Sequence, residues 1–148
     1  MMSIRFAVVA AALGFLAAAA ALPLPAAAEE GKTIELANGL KYTDTKLGTG
    51  EEAKSGYLVS VHYTGWLWKN GAKGAQFDSS RDRGKPITFK LGAHEVIPGW
   101  EQGIAGMKVG GRRQLHIPAK LGYGDRGAGE AIPPNADLVF DCALIEVK

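Results

Sequence analysis

A chain of 148 residues, 47% hydrophobic and 22% charged, has room for one ordinary globular domain and a little more. Its 17 basic and 15 acidic residues nearly cancel, so the charge balance leaves no electrostatic footprint for nucleic acid or an anionic membrane. Cys142 is the only cysteine, which excludes an internal disulfide, and His62, His94 and His116 lie far apart without acids or thiols at ligand spacing, which argues against zinc.

In chain order, Arg5 precedes an apolar run from Phe6 to Leu22, and Pro23 and Pro25 lead into Ala26-Ala27-Ala28 before Glu29. That order predicts a secretory signal peptide over residues 1–28, cleaved after Ala28. The run is short and Ala-rich for a membrane span of about 20 residues, so no stable anchor is expected after cleavage. Taking Arg5 from the 17 basic residues leaves 16 against 15 acids, still nearly neutral.

Residues 29–37 are expected to form an N-terminal extension, with 29–33 lacking fixed structure. Ile34–Ala37, the turn Asn38-Gly39 and Leu40–Leu47 predict a small hairpin, because Asn-Gly supplies the positive φ of such turns. From Tyr57 the chain alternates: Tyr57, Val59, Val61 and Tyr63 on one face, Ser60, His62 and Thr64 on the other. Gly65–Trp68 prolongs that strand, and the polar run 69–74 breaks it. The pattern resumes at Gln76-Phe77-Asp78-Ser79-Ser80. A charged turn over residues 81–86 leads to an alternating strand, Ile87–Leu91.

The stretch from Glu95 to Met107 predicts the one helix of the domain. Pro98 suits a first helical position, Glu101 favours the positive end and Gly106 offers a stop. Ile97, Trp100, Ile104 and Met107 define its apolar face. About eight residues with two glycines cannot persist alone in water, so strands on both sides must hold them. Gly110-Gly111 then turns into Arg112–Pro118, where Arg113, Leu115 and Ile117 share a face. A glycine-rich loop over 122–131 and the stiff Ile132-Pro133-Pro134 precede a long final strand, Asp137–Val147. Without β-α-β alternation, the fold class is α+β: a curved antiparallel sheet of five or six strands wrapped around one short helix.

Covalent and metal-assisted chemistry find no support. The glycines of 122–129 are followed by no Lys-Ser or Lys-Thr, so they make no phosphate loop, and Ser79 and Ser80 lack nucleophile-elbow spacing. Cys142, inside an apolar strand, reads as a packed small hydrophobe. What remains is a set of aromatics, Tyr63, Phe77, Phe89, Trp100, Tyr123 and Phe140, that form either plain core or a ligand pocket.

Five strings decide between them: Val61-His62-Tyr63-Thr64-Gly65, Phe77-Asp78-Ser79-Ser80-Arg81-Asp82-Arg83, Glu95-Val96-Ile97-Pro98-Gly99-Trp100, Leu121-Gly122-Tyr123-Gly124 and residues 132–141. In this order and spacing the chain resembles the FKBP-type peptidyl-prolyl cis-trans isomerases over residues 38–148, as an exported bacterial member. The resemblance implies an isomerase without cofactor that turns X–Pro bonds in exported, most simply periplasmic, proteins and assists their folding. Its implied partners are proline-containing peptides, unfolded exported proteins and macrolides of the tacrolimus or rapamycin type; with no clear dimerisation element in the sequence, a monomer is expected. A proline-recognising binding module or chaperone with little turnover is the alternative from another class.

Carried over position by position, Trp100 matches the floor of the family's pocket, and Tyr63, Phe77, Phe89 and Phe140 match its walls. Val96 and Ile97 form the lip, with the Ile97 N–H as donor to a substrate carbonyl. Tyr123 and Ile132 belong to an overhanging loop, Tyr123 offering its hydroxyl. Asp78 is the polar member, tied to Tyr63 and Arg83. The resemblance thus implies Tyr63, Asp78 and Tyr123 as the catalytic polar groups and the rest as substrate-binding. Ile87 stands where drug-binding relatives commonly have an aromatic, and Ala128 where they have a larger residue; both bear on macrolide affinity. The 65–77 connection is longer than in compact members, with Trp66, Trp68 and Lys73 as extra surface.

Overall fold

The computed structural model describes residues 29–148; the expected signal peptide lies outside the described residues. Seven strands form one antiparallel sheet: β1 (Thr33–Glu35), β2 (Lys41–Lys46), β3 (Leu58–Lys69), β4 (Ala72–Ser79), β5 (Ile87–Lys90), β6 (Arg112–Ile117) and β7 (Asp137–Val147). A single α-helical turn, α1 (Ser80–Arg83), follows β4, and the main helix, α2 (Pro98–Ile104), separates β5 from β6. The strand order is β1-β2-β6-β7-β3-β4, with β5 also paired to β3.

The twelve-residue β3 is the spine. One edge runs along β7 from Val59 to Trp68. The other is shared, its first half with β5 and its second with β4. Val59, Val61, Tyr63 and Leu67 point into the core, as alternation requires, and meet Leu138, Phe140, Cys142 and Leu144 of β7.

Helix α2 closes the concave side against β6. Its N-terminus needs no side-chain cap: Pro98 lacks the N–H that would want a partner, and Ile97 C=O accepts from the Trp100 and Glu101 N–H groups at 2.9 and 3.1 Å. The two helical glycines, costly as helix formers, are explained by close approach. A Cβ on Gly99 would lie 2.6 Å from Ile117, and one on Gly103 would lie 2.7 Å from Leu115. Trp100, Ile104 and Met107 are buried beside them.

Four local readings differ from the structure. Residues 29–33 are not free: Gly31 N–H bonds Asp44 C=O at 2.8 Å, Glu30 accepts the Leu47 N–H, and Thr33 already belongs to β1. The sheet has seven strands against the expected five or six, because both arms of the expected hairpin count as strands of the one sheet, the first, β1, being only three residues long and shifted to Thr33–Glu35. Strand β4 begins at Ala72 rather than Gln76, because Asn70 (φ 52°) and Gly71 (φ 79°) complete a two-residue turn and the strands can pair right up to it. The charged turn after β4 starts as the helical turn α1, because Ser79 accepts the Arg81 N–H at 3.2 Å as N-cap and Gly84 ends it at φ 71°.

Candidate active site

A cavity of about 410 Å³ opens between α2, the concave side of β3 and β4, and the loops on either side. It is lined by Tyr63, Phe77, Asp78, Ile87, His94, Glu95, Val96, Ile97, Trp100, Tyr123 and Phe140. The buried Trp100 stands edge-on to Tyr63 and Phe140, with ring centroids 4.9 and 5.4 Å apart, and Phe77 stands edge-on to Phe140 at 5.5 Å. Gly65 makes this packing possible: a Cβ there would lie 2.7 Å from both Phe77 and Phe140.

Two neighbouring residues of β4, Phe77 and Asp78, both face the cavity, which regular alternation forbids. The pairing shows why: Gly65 faces Asp78 but Trp66 faces Gln76, so Phe77 is the extra residue of a β-bulge. The bulge turns a wall aromatic and a carboxylate to the same side.

That carboxylate belongs to a closed triangle. Tyr63 hydroxyl donates to Asp78 Oδ2 at 2.5 Å, Arg83 Nη1 donates to Asp78 Oδ1 at 2.6 Å, and Arg83 Nη2 donates to the Tyr63 hydroxyl at 2.9 Å. Helix α1 places Arg83 for this, itself pinned by the fully buried Ser80, whose Oγ accepts the Tyr63 N–H at 2.7 Å. Partial burial acts to raise the Asp78 carboxyl, but the bonds from Tyr63 and Arg83 outweigh it and hold the group below the ordinary carboxylate range. Burial, with the hydrogen bond to Asp78, pushes the Tyr63 phenol above its usual value. Burial and then the Asp78 charge do the same to Tyr123.

The consequence is a division of labour among donors. Tyr63's proton is committed to Asp78. Among the described residues the Ile97 N–H and the half-exposed Tyr123 hydroxyl make no hydrogen bond, so both are free to meet a ligand. Trp100 Nε1, buried, also lacks a partner among the described residues.

Three residues expected at the substrate stand behind the lining instead. Phe89 lies against Trp100 at 5.7 Å and is buried, because it shares a face of β5 with Ile87 but sits deeper. Ile132 is buried in the core, held by paired backbone bonds to Ala128. Arg83 approaches the cavity only through Asp78 and Tyr63. Conversely, His94 and Glu95 line the cavity, and in the sequence only their position before Val96 and Ile97 points to them. No three His, Cys, Asp or Glu side chains converge as a metal site among the described residues. The Cys142 thiol, fully buried, is pushed well above its usual pKa, which leaves it inert.

The sequence profile of the FKBP-type peptidyl-prolyl cis-trans isomerases matches residues 49–145. The chain belongs to that family. An "FK506-binding protein" of Neisseria meningitidis serogroup B is 51% identical over 109 residues, covering 74% of this chain and 96% of its own length. "Peptidyl-prolyl cis-trans isomerase FPR2" of Saccharomyces cerevisiae is 55% identical over 97 residues, 66% of this chain and 70% of that protein. The crystal structure of AtFKBP13 superposes with a TM-score of 0.72 at 44% identity, over 79% of this chain and 99% of that one. That of FkpA from Escherichia coli does so with 0.71 at 41%, over 82% of this chain and 54% of that one.

As an FKBP-type isomerase, the chain spends its longer β3–β4 hairpin on its own outer face. Lys73 Nζ lies 3.8 Å over the Trp66 ring and 3.3 Å from Asp141. Asp141 also accepts from Gln114 at 3.0 Å, Gln114 meets His116 at 3.1 Å, and His116 stands edge-on to Trp68 at 4.7 Å. A chain of the protein's own polar groups thus runs from one half-buried tryptophan to the other.

Proposed function

We propose that this FKBP-type isomerase accelerates X–Pro rotation in exported proteins, acts as a monomer and works in the periplasm of a bacterium. The export part rests on the pattern Arg5, Phe6–Leu22, Ala26-Ala27-Ala28. The observation that carries the chemistry is a cavity walled by Tyr63, Phe77, Trp100 and Phe140 with an uncommitted N–H on its lip.

Rotation about X–Pro has to break amide resonance, at a barrier of about 18–20 kcal/mol, and no covalent bond is made or cleaved. The planar amide is strongly dipolar and well hydrated. The twisted form has a less polar carbonyl and a nitrogen lone pair that can accept a hydrogen bond. A proline ring seated on Trp100 between Tyr63, Phe77 and Phe140 leaves water behind, and the Ile97 N–H holds the carbonyl while the bond turns. The triangle keeps the carboxylate of Asp78 fixed at the cavity wall. A million-fold acceleration needs about 8 kcal/mol, which desolvation, shape and one or two donors together can supply.

The full chain expressed in a bacterium, fractionated and sequenced from its N-terminus, tests the address: periplasmic protein beginning at Glu29 is the expected result, and uncleaved cytoplasmic protein sinks it. A protease-free peptide assay on the same material, together with refolding of a proline-limited exported protein, tests the activity. Tight proline-peptide binding without acceleration would favour a binding module instead.

A further inference from the structure

The lip that carries the Ile97 donor is irregular backbone, and the Glu101 side chain ties it to the helix. Glu101, in the first turn of α2, reaches back with both carboxylate oxygens: Oε1 accepts the Gly92 N–H and Oε2 the His94 N–H, each at 2.6 Å. These amides belong to a segment that turns twice through the left-handed region, at Gly92 (φ 88°) and at His94 (φ 61°). The second is a conformation that a residue with a Cβ adopts only when its surroundings impose it. His94 itself and the next residue, Glu95, line the cavity, and Val96 and Ile97 after them form its rim.

We propose that Glu101 is a positioning residue for the isomerase reaction. It bridges helix and lip, fixing the Gly92–Ile97 segment so that the Ile97 N–H faces the substrate carbonyl before substrate arrives. The same turn of helix grips the other end of the segment, since Ile97 C=O accepts from Trp100 and Glu101 N–H. Glu95 adds a fastening at the strand end by accepting the Lys90 N–H at 3.0 Å. Glu101 therefore ties floor and lip together: it is the neighbour of Trp100, and its carboxylate sets where the donor stands relative to that ring. A carboxylate suits this task because two converging N–H groups each need an acceptor oxygen, and a carboxamide offers only one. The idea presupposes that this cavity performs the isomerisation.

The test uses the full mature protein, with Glu101→Ala and Glu101→Gln beside Gln102→Ala. Gln102 accepts from Asn38 on the exposed side of the same helix at 2.5 Å and does not touch the lip. The Glu101→Ala protein is expected to lose between about ten- and a hundredfold in kcat/KM for a proline peptide, the size of a misplaced catalytic group. Glu101→Gln should fall between it and wild type, and Gln102→Ala should match wild type. Amide exchange at Gly92 and His94 should accelerate in Glu101→Ala while the thermal midpoint moves only a few degrees.

Unchanged kcat/KM in Glu101→Ala overturns the proposal, as does an equal loss in Gln102→Ala or a loss without faster exchange at Gly92 and His94. If Glu101→Ala fails to fold, Glu101→Gln decides by the same criteria. An inactive wild-type protein would instead overturn the isomerase reading underneath it.

Discussion

Arg113 and Asp44, 69 residues apart in the chain, form a two-pronged ion pair inside the protein: Nε to Oδ1 at 2.7 Å and Nη2 to Oδ2 at 3.1 Å, with each side chain 6% exposed. Arg113 Nη1 also donates to Gly103 C=O and Ala105 C=O, two carbonyls at the end of α2 that the short helix leaves open, at 2.9 and 3.2 Å. Its guanidinium lies 4.2 Å over the Tyr42 ring. One side chain thus joins β2, β6 and the C-terminus of the helix whose other end carries the cavity floor.

Breaking this pair strands a buried charge. Asp44→Ala is expected to cost about 3–5 kcal/mol in denaturant unfolding. The double variant Asp44→Leu/Arg113→Met should recover part of that loss, although the Gly103 and Ala105 carbonyls stay unpaired. Activity of whatever fraction is folded should hold, since neither residue reaches the cavity. A Asp44→Ala protein as stable as wild type would show that water enters and solvates the charge.

Asp78 should behave in the opposite way. Its side chain and that of Arg83 are 40% and 53% exposed, so water screens the pair and its share of stability is small. Asp78→Ala nevertheless frees the Tyr63 proton and removes a cavity wall group, and kcat/KM should fall about tenfold, with little change in unfolding midpoint. The sign with pH follows from the lowered pKa. A depressed carboxyl contributes above its ordinary value of about 3.9 and loses that contribution only as pH falls through its lower, folded value. As far as Asp78 is concerned, wild-type activity should be level from about pH 7 to 5 and decline only below about 4. A decline centred near 5 would mean that the triangle does not protect the carboxylate.

These two pairs also show what the sequence could and could not disclose. The alternation along β3 and β7 and the helix start at Pro98 are local properties, written in neighbouring residues, and each was readable at nearly its observed bounds. Arg113 was placed on the inward face with Leu115 and Ile117, where it is found, yet its charge made sense only once Asp44 arrived from a distant strand. The bulge at Phe77 was equally hidden, because it depends on how β4 registers against β3 and not on composition. In the sequence Glu101 shows only a charge suited to a helix start, whereas its chief contacts are backbone amides of the preceding loop. The cavity aromatics were assignable only through the family resemblance, since buried aromatics look alike whether they face a core or a ligand.

Ile87 lies on the cavity rim from β5, next to where Phe77 and Tyr63 rise. A branched aliphatic there leaves that side less enclosed than an aromatic would. Ile87→Phe is therefore expected to tighten binding of a tacrolimus-type macrolide by about tenfold, the scale of one added aromatic contact of about 1 kcal/mol or slightly more. Peptide isomerisation should change little. Weaker binding in the variant would mean that the larger ring blocks the cavity instead of closing it.

Trp100 combines both roles that the other residues separate. It is 4% exposed, touches Tyr63, Phe89 and Phe140, and presents its remaining surface as the cavity floor. Truncation to Ala removes packing for three rings at once, so a loss of about 3–5 kcal/mol is expected. Because the indole Nε1 has no partner among the described residues, none of that loss comes from a broken hydrogen bond within the domain. Leucine at 100 refills part of the volume and should restore much of the stability, but not the flat surface under the proline ring. The two variants separate folding from catalysis: Trp100→Leu should unfold well above Trp100→Ala in denaturant while both lose most of kcat/KM. Full activity in the leucine protein would show that the floor needs only to be apolar, and would move the weight of catalysis to the lip and the Asp78 wall.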